Sequence, residues 1–237
     1  MLRAAGQDGF SLTELLIGST LGLLVLGGGL QMYLANLQAS HDCLSHARLS
    51  HELQTALELM TAELRRSGYW AGQPGIDPRS ANPFLQTEQQ LRIGQAAGES
   101  RDSCVLYSYD RNQDKRLGVG HGASGALQSA ANVERFGFRL YRQRLQMRLG
   151  GRGFDCDHGQ WQSLTSDDTE VTRLRFTRLE RCLNAVNPGH PCTQGHPAQF
   201  LQQVDIELHG RSRSRGAPQQ LTNRVRLRNN RHVARLP

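Results

Sequence analysis

Between Phe10 and Leu37 the chain carries a single charged residue, Glu14, in the run FSLTELLIGSTLGLLVLGGGLQMYLANL. As a helix rising about 1.5 Å per residue, a run of this length crosses a hydrocarbon core of roughly 30 Å. The short polar stretch MLRAAGQDG precedes it, and no second apolar span follows. The expected topology is one N-terminal membrane segment carrying one soluble domain. Composition agrees: a chain of 237 residues with 38% hydrophobic residues and a mean hydropathy of −0.53 is no multi-pass membrane protein. The formal charge of +7 comes almost wholly from arginine, since Lys115 is the only lysine. That skew reflects codon usage more often than function.

Three readings of the apolar run compete. A secretory signal peptide wants an uninterrupted apolar region and a small-x-small cleavage site. Here Glu14 sits in the first turns, Gly27, Gly28 and Gly29 interrupt the middle, and no clean A-x-A follows. A plain signal anchor would also avoid the acid, because a carboxylate at mid-bilayer depth costs about 2.5–3.5 kcal/mol on insertion scales. A buried acid of that kind implies a partner.

The third reading supplies one. The segment GFSLTELLIG resembles the N-terminus of type IV prepilins: a short leader ending in Gly (Gly9), then Phe (Phe10), then Glu (Glu14) at the fifth mature position. The resemblance implies that a membrane-embedded prepilin peptidase cuts the Gly9–Phe10 bond and methylates the new N-terminus. It also implies that Glu14 faces the free α-amine of an adjacent subunit. Such a pair offsets two buried charges and sets axial register. Gly27–Gly29 mark either a segment that unwinds on filament assembly or a close-packing face together with Gly18 and Gly22. Further along, ELMTAELRRSGYWAG (58–72) and FGFRLYRQRLQMR (136–148) are similar to minor pilins of the PilW kind, with the type II secretion pseudopilin J as nearest competitor. The implied partners are other minor and major pilins, the peptidase and an inner-membrane assembly platform. The implied location is a single pass of the inner membrane with a periplasmic head, then the pilus tip or fibre. The function implied is a non-catalytic subunit that primes or caps pilus assembly.

From His41 to Arg66 the pattern continues as a helix. Leu49, Leu53, Leu57, Met60 and Leu64 make an apolar stripe, Glu52, Glu58, Glu63, Arg65 and Arg66 lie largely off it, and Ser67-Gly68 ends it. The domain plan is a leader over 1–9, a membrane or filament-core helix over 10–37, an amphipathic helix over 38–67 and a β-rich head over 68–237. Six strands are expected: 103–109, 135–141, 145–149, 171–178, 200–208 and 221–227. The fold class is therefore α+β, a long helix packed on an antiparallel sheet.

Catalytic motifs are missing: there is no Walker A loop, G-x-S-x-G, H-E-x-x-H or Rossmann glycine pattern. His41, His46 and His51 recur every five residues and cannot share a helical face. Asp110, Asn112 and Asp114 have the spacing of a calcium loop, but Lys115 stands where the turn glycine belongs and His121 where a bidentate Glu belongs. An Asx-rich turn is the favoured reading and calcium the second, with Glu134 as a substitute ligand. Cys182 with Cys192, and Cys104 with Cys156, are disulfide candidates, although four cysteines allow three pairings. Zinc held by Cys182, Cys192, His190 and His196 fits no common finger spacing. Cys43 is read as a buried free thiol, with an intersubunit bond as the alternative. Eight arginines and no acid follow Glu207. Arg224, Arg226 and Arg228 alternate with Val225 and Leu227 and are expected on one exposed face. A charge-protected edge strand is favoured there over a surface for DNA, anionic lipid or an acidic neighbouring subunit.

Overall fold

The computed structural model describes residues 11–72, 82–85, 90–118, 133–151, 153–187, 189–213, 217–233 and 235–236. One helix, α1, runs Leu12–Arg66 without a break near Asn36–Ser40. The chain divides into two compact units, Met1–Ser45 and His46–Pro237. In the first, α1 carries a nearly all-apolar surface, with Leu23 69%, Val25 75% and Leu26 71% exposed. It is long and apolar enough to cross a membrane.

The second unit is the head, and its helical half supplies the stripe the sequence predicts. Leu49, Leu53, Ala56, Leu57, Met60 and Leu64 are buried in one cluster with residues of two sheets, where the sequence suggested one sheet. The first sheet has strands β1 (Leu91–Gly94), β2 (Cys104–Ser108), β3 (Arg135–Tyr141), β4 (Arg144–Gly150) and β5 (Gln160–Ser163), antiparallel in that order. The second has β6 (Thr169–Asn184), β7 (Ala198–Ser212) and β8 (Gln219–Arg226) side by side, with β9 (Arg231–Val233) also pairing with β7. Beta1, β5 and β9 were not anticipated: each has three or four residues, too few to display a period of two. Strands β6 and β7 extend well beyond 171–178 and 200–208 because their outer ends pair with each other.

Every residue of β2 is buried, and the two faces go to different neighbours. Val105 and Tyr107 join the main core. Cys104 and Leu106 face a smaller cluster with Ala96 and Cys156, flanked by Phe154 and Trp161. Gly137 on β3 allows this layering, since a Cβ there would sit 2.8 Å from the carbonyl oxygen of Val105. Strands β3 and β4 join through Arg142 and Gln143, both at positive φ (49° and 62°), the backbone of a tight hairpin turn without its usual Asn-Gly signature.

The C-terminus of α1 is held by the far end of the chain. Gly68 takes the left-handed conformation (φ 76°) expected of a cap, and its N–H donates to the Ser108 carbonyl at 2.8 Å. The Asn229 amide donates to the carbonyls of Arg66 (3.3 Å) and Ser67 (3.0 Å), so groups orphaned by the helix end are satisfied. Glu63, read from sequence as off the stripe, is buried: its carboxylate accepts from the Tyr109 hydroxyl at 3.0 Å and pairs with Arg66 at 3.1 Å.

Leu53 is fully buried, and its methyls lie 3.0 Å from where a Cβ on Gly210 of β7 would sit. Leu53→Ala is expected to lower head stability by about 2–5 kcal/mol in denaturant unfolding, because that contact cannot refill. Leu44→Ala, at a 59% exposed position, is expected to change it by less than about 0.5 kcal/mol.

Candidate functional site

Helix α1 begins with a reciprocal cap. The Ser11 backbone N–H donates to the Glu14 carboxylate at 3.1 Å, and the Glu14 N–H donates to the Ser11 hydroxyl at 3.2 Å. This is a capping box, a role for Glu14 that the spacing Ser11-x-x-Glu14 announces and that the sequence reading missed. Gly9 and Phe10 lie outside the described residues. Gly27, Gly28 and Gly29 are helical, and a Cβ added at any of them meets nothing within 4 Å. Cys43 is a free thiol but exposed, contrary to expectation, because the buried stripe of α1 starts six residues later at Leu49.

In the head, Cys104 is bonded to Cys156 and Cys182 to Cys192. The second bridge ties β6 to the loop before β7 and removes the zinc reading, since its sulfurs are no longer thiolates. The first anchors the 153–159 segment, which two arginines also hold. The Arg148 guanidinium, 1% exposed, donates to the carbonyls of Arg135 (2.6 Å), Gly151 (2.7 Å) and Gly153 (2.7 Å). Burial pushes its pKa down to about 10, and nearby Arg135 adds to the shift. Arg139 donates to the Cys156 carbonyl at 2.7 Å and lies between the rings of Tyr141 (4.6 Å) and Trp161 (4.2 Å). Part of the arginine excess is therefore structural.

The C-terminal arginines alternate as expected, with Arg224, Arg226 and Arg228 exposed and Val225 and Leu227 buried. Their charge is less available than the sequence implied. Arg224 donates from Nε (2.6 Å) and Nη2 (2.8 Å) to the two carboxylate oxygens of Asp205 on β7, and this bidentate bond holds the Asp205 carboxyl below its usual range. Arg211 and Arg213 both pair with Glu170, at 2.7 and 3.4 Å. The acids come from neighbouring strands, which a count along the chain after Glu207 cannot see.

A cavity of about 420 Å³ opens beside the end of α1, lined by Glu63, Arg66, Tyr69, Tyr109, Asp110 and Phe136 among others. Both oxygens of Glu63 are already engaged there. Burial, with the Glu63 charge, raises the Tyr109 pKa. Asp110 and Glu134 lie at the same end of the head, and both are buried.

The family model PpdB, prepilin peptidase-dependent protein B, matches residues 42–227, well over half of the chain. The chain belongs to this family. The match begins after the apolar run, so membership in the PpdB family rests on the head and owes nothing to the Gly9–Phe10 motif. A Haemophilus influenzae protein carried as "Uncharacterized protein" is 28% identical over 162 residues, covering 57% of this chain and 68% of that relative. No solved structure matches. A prepilin peptidase-dependent, pilin-like protein with an apolar N-terminal helix fits membrane anchoring and a link to the peptidase.

On an anionic resin, Arg226→Ala and Arg228→Ala are each expected to shift elution to lower salt, whereas the double variant Arg224→Ala/Asp205→Asn, which removes a bound pair of opposite charges, shifts it little. A shift from the double variant as large as that from Arg226→Ala would contradict the pairing with Asp205.

Proposed function

We propose that the chain is a minor type IV pilin of the PilW kind, a non-catalytic subunit that primes or caps pilus assembly together with other minor and major pilins. The observation that carries the reading is the coincidence of two independent signals. The prepilin-like junction places Glu14 five residues after the Gly9–Phe10 bond, and the head, over residues separate from that junction, belongs to a peptidase-dependent family. The peptidase frees the Phe10 amine in the inner membrane, and the head faces the periplasm, where two disulfides are at home. During assembly Glu14 exchanges its cap partner, the Ser11 amide, for the α-amine of a neighbouring subunit. The exposed apolar residues of α1 then bury against the helices of other pilins, and Gly27–Gly29 provide a place where the helix yields at low cost. Of the three alternating arginines at the C-terminal end, Arg226 and Arg228 form no ion pair among the described residues and present charge at the head surface.

The charge and cap roles of Glu14 separate by substitution. Glu14→Gln keeps an acceptor for the Ser11 amide but cannot offset a buried amine. Breaking a buried ion pair costs about 3–5 kcal/mol, so Glu14→Gln and Glu14→Ala are both expected to abolish incorporation into sheared pili in the native host. Normal incorporation of Glu14→Gln would overturn the register role. Deletion of the gene is expected to deplete surface pili. Intact pili with a stalled type II secretion pathway would favour the pseudopilin reading instead.

A further inference from the structure

The loop that follows β2 gathers acids in a way that assembly does not explain. Asp110, Asp114 and Glu134 each bring a carboxylate oxygen within 4.8 Å of the others. Two of the three are buried, Asp110 at 1% and Glu134 at 0% exposure. Asp110 Oδ2 accepts the backbone N–H groups of Ala71 (3.0 Å) and Lys115 (3.2 Å), but its Oδ1 is buried with no donor among the described residues. A buried carboxylate oxygen without a partner is costly, and the cost grows beside two further acids. None of the three acids forms an ion pair among the described residues, although Arg111, Lys115 and Arg116 belong to the same loop.

The remaining hydrogen bonds hold the acids in place. Glu134 Oε1 accepts the Arg111 N–H (2.9 Å) and Oε2 the Gly118 N–H (2.6 Å). Asn112 donates its side-chain amide to Asp114 Oδ2 at 2.9 Å, and Asp114 Oδ1 accepts the Arg116 N–H at 2.8 Å. Lys115, at the sixth position of the loop, has φ 66°, the left-handed turn a calcium loop normally gives to glycine. The apparent defect in the sequence motif is thus absent from the backbone, because Lys115 takes the required conformation. The second defect, His121 at the closing position, lies outside the described residues, and Glu134 brings a carboxylate to the cluster from beyond it.

We propose that this loop is a calcium site, with Asp110, Asp114 and Glu134 as carboxylate ligands and Asn112 bracing Asp114. The donors are all oxygen, which selects a hard cation over zinc, and a loop of mixed side chains suits the adaptable shell of calcium better than the strict octahedron of magnesium. The ion would satisfy Asp110 Oδ1 and neutralise the cluster. It would also lock the exit of α1, because Asp110 N–H donates to the Tyr69 carbonyl at 2.9 Å and the Trp70 indole N–H donates to the Lys115 carbonyl at 3.1 Å. The site is independent of the assembly role proposed above.

Trp70 makes the site directly observable. Terbium added to the purified full-length chain in detergent, excited through the indole, is expected to luminesce at this loop. Calcium chloride should displace it with a midpoint of about 10⁻⁴–10⁻³ M, the range of extracellular modules, and magnesium should do so far less well. Calcium at tenfold excess over its Kd should raise the Tm by about 3–6 °C. Glu134→Gln and Asp110→Asn should each lose at least tenfold in calcium affinity, and Trp70→Phe should keep calcium binding while losing the luminescence. Should Asp110→Asn fail to fold, Glu134→Gln and the exposed Asp114→Asn carry the test. No calcium-dependent Tm shift up to 10 mM, or unchanged affinity in Glu134→Gln and Asp114→Asn, would overturn the assignment.

Discussion

Burial of one stripe of α1, from Leu49 to Leu64, is the interaction on which the head depends. Both sheets pack onto it, and neither has another apolar helix among the described residues. The strand residues that share its cluster come from β1, β2, β3 and β4 in one sheet and from β6, β7 and β8 in the other, so the helix is the shared floor of two antiparallel layers. Burying a large apolar side chain contributes about 1.5–3 kcal/mol, and five helix positions, Leu49, Leu53, Leu57, Met60 and Leu64, do so together. The end of that helix is fixed from two sides, by the Gly68 N–H on β2 and by Asn229 near the C-terminus.

Upstream of that stripe the same helix follows a different rule. The side chains of Leu12 through Leu44 are exposed and mostly apolar, which an isolated soluble helix does not sustain. Such a surface needs hydrocarbon or other helices around it. A single element thus serves two surroundings, lipid or subunits over its first half and its own head over its second. Glu14, the only acid between Phe10 and Leu37, has a local use in the cap, and its charge is what assembly would call on.

The main outline was legible in the sequence because it rests on periodicity. The stripe at Leu49, Leu53, Leu57, Met60 and Leu64, the cap at Gly68 and the alternation of Arg224, Val225, Arg226 and Leu227 all follow from spacing alone. What spacing could not show depends on contacts between distant segments. Asp205 and Glu170 reach the C-terminal arginines from neighbouring strands, Tyr109 and Arg66 draw Glu63 into the core, and Arg148 is buried by carbonyls of a loop with no apolar pattern. The short strands β1, β5 and β9 owe their existence to longer partners. Ser11-x-x-Glu14 is a readable signal of a different kind, a local capping spacing set inside a run whose apolar character points to the membrane.

The proposed role rests on one event, maturation of the chain as a prepilin before its use as a pilus subunit. Mass spectrometry of its N-terminus, after purification from cells with an intact prepilin peptidase, reads that event. A mature chain starting at N-methylated Phe10, with Met1 retained when the peptidase is deleted, is the predicted result. Retention of Met1 in the presence of the peptidase, or cleavage near Ala39, would contradict it.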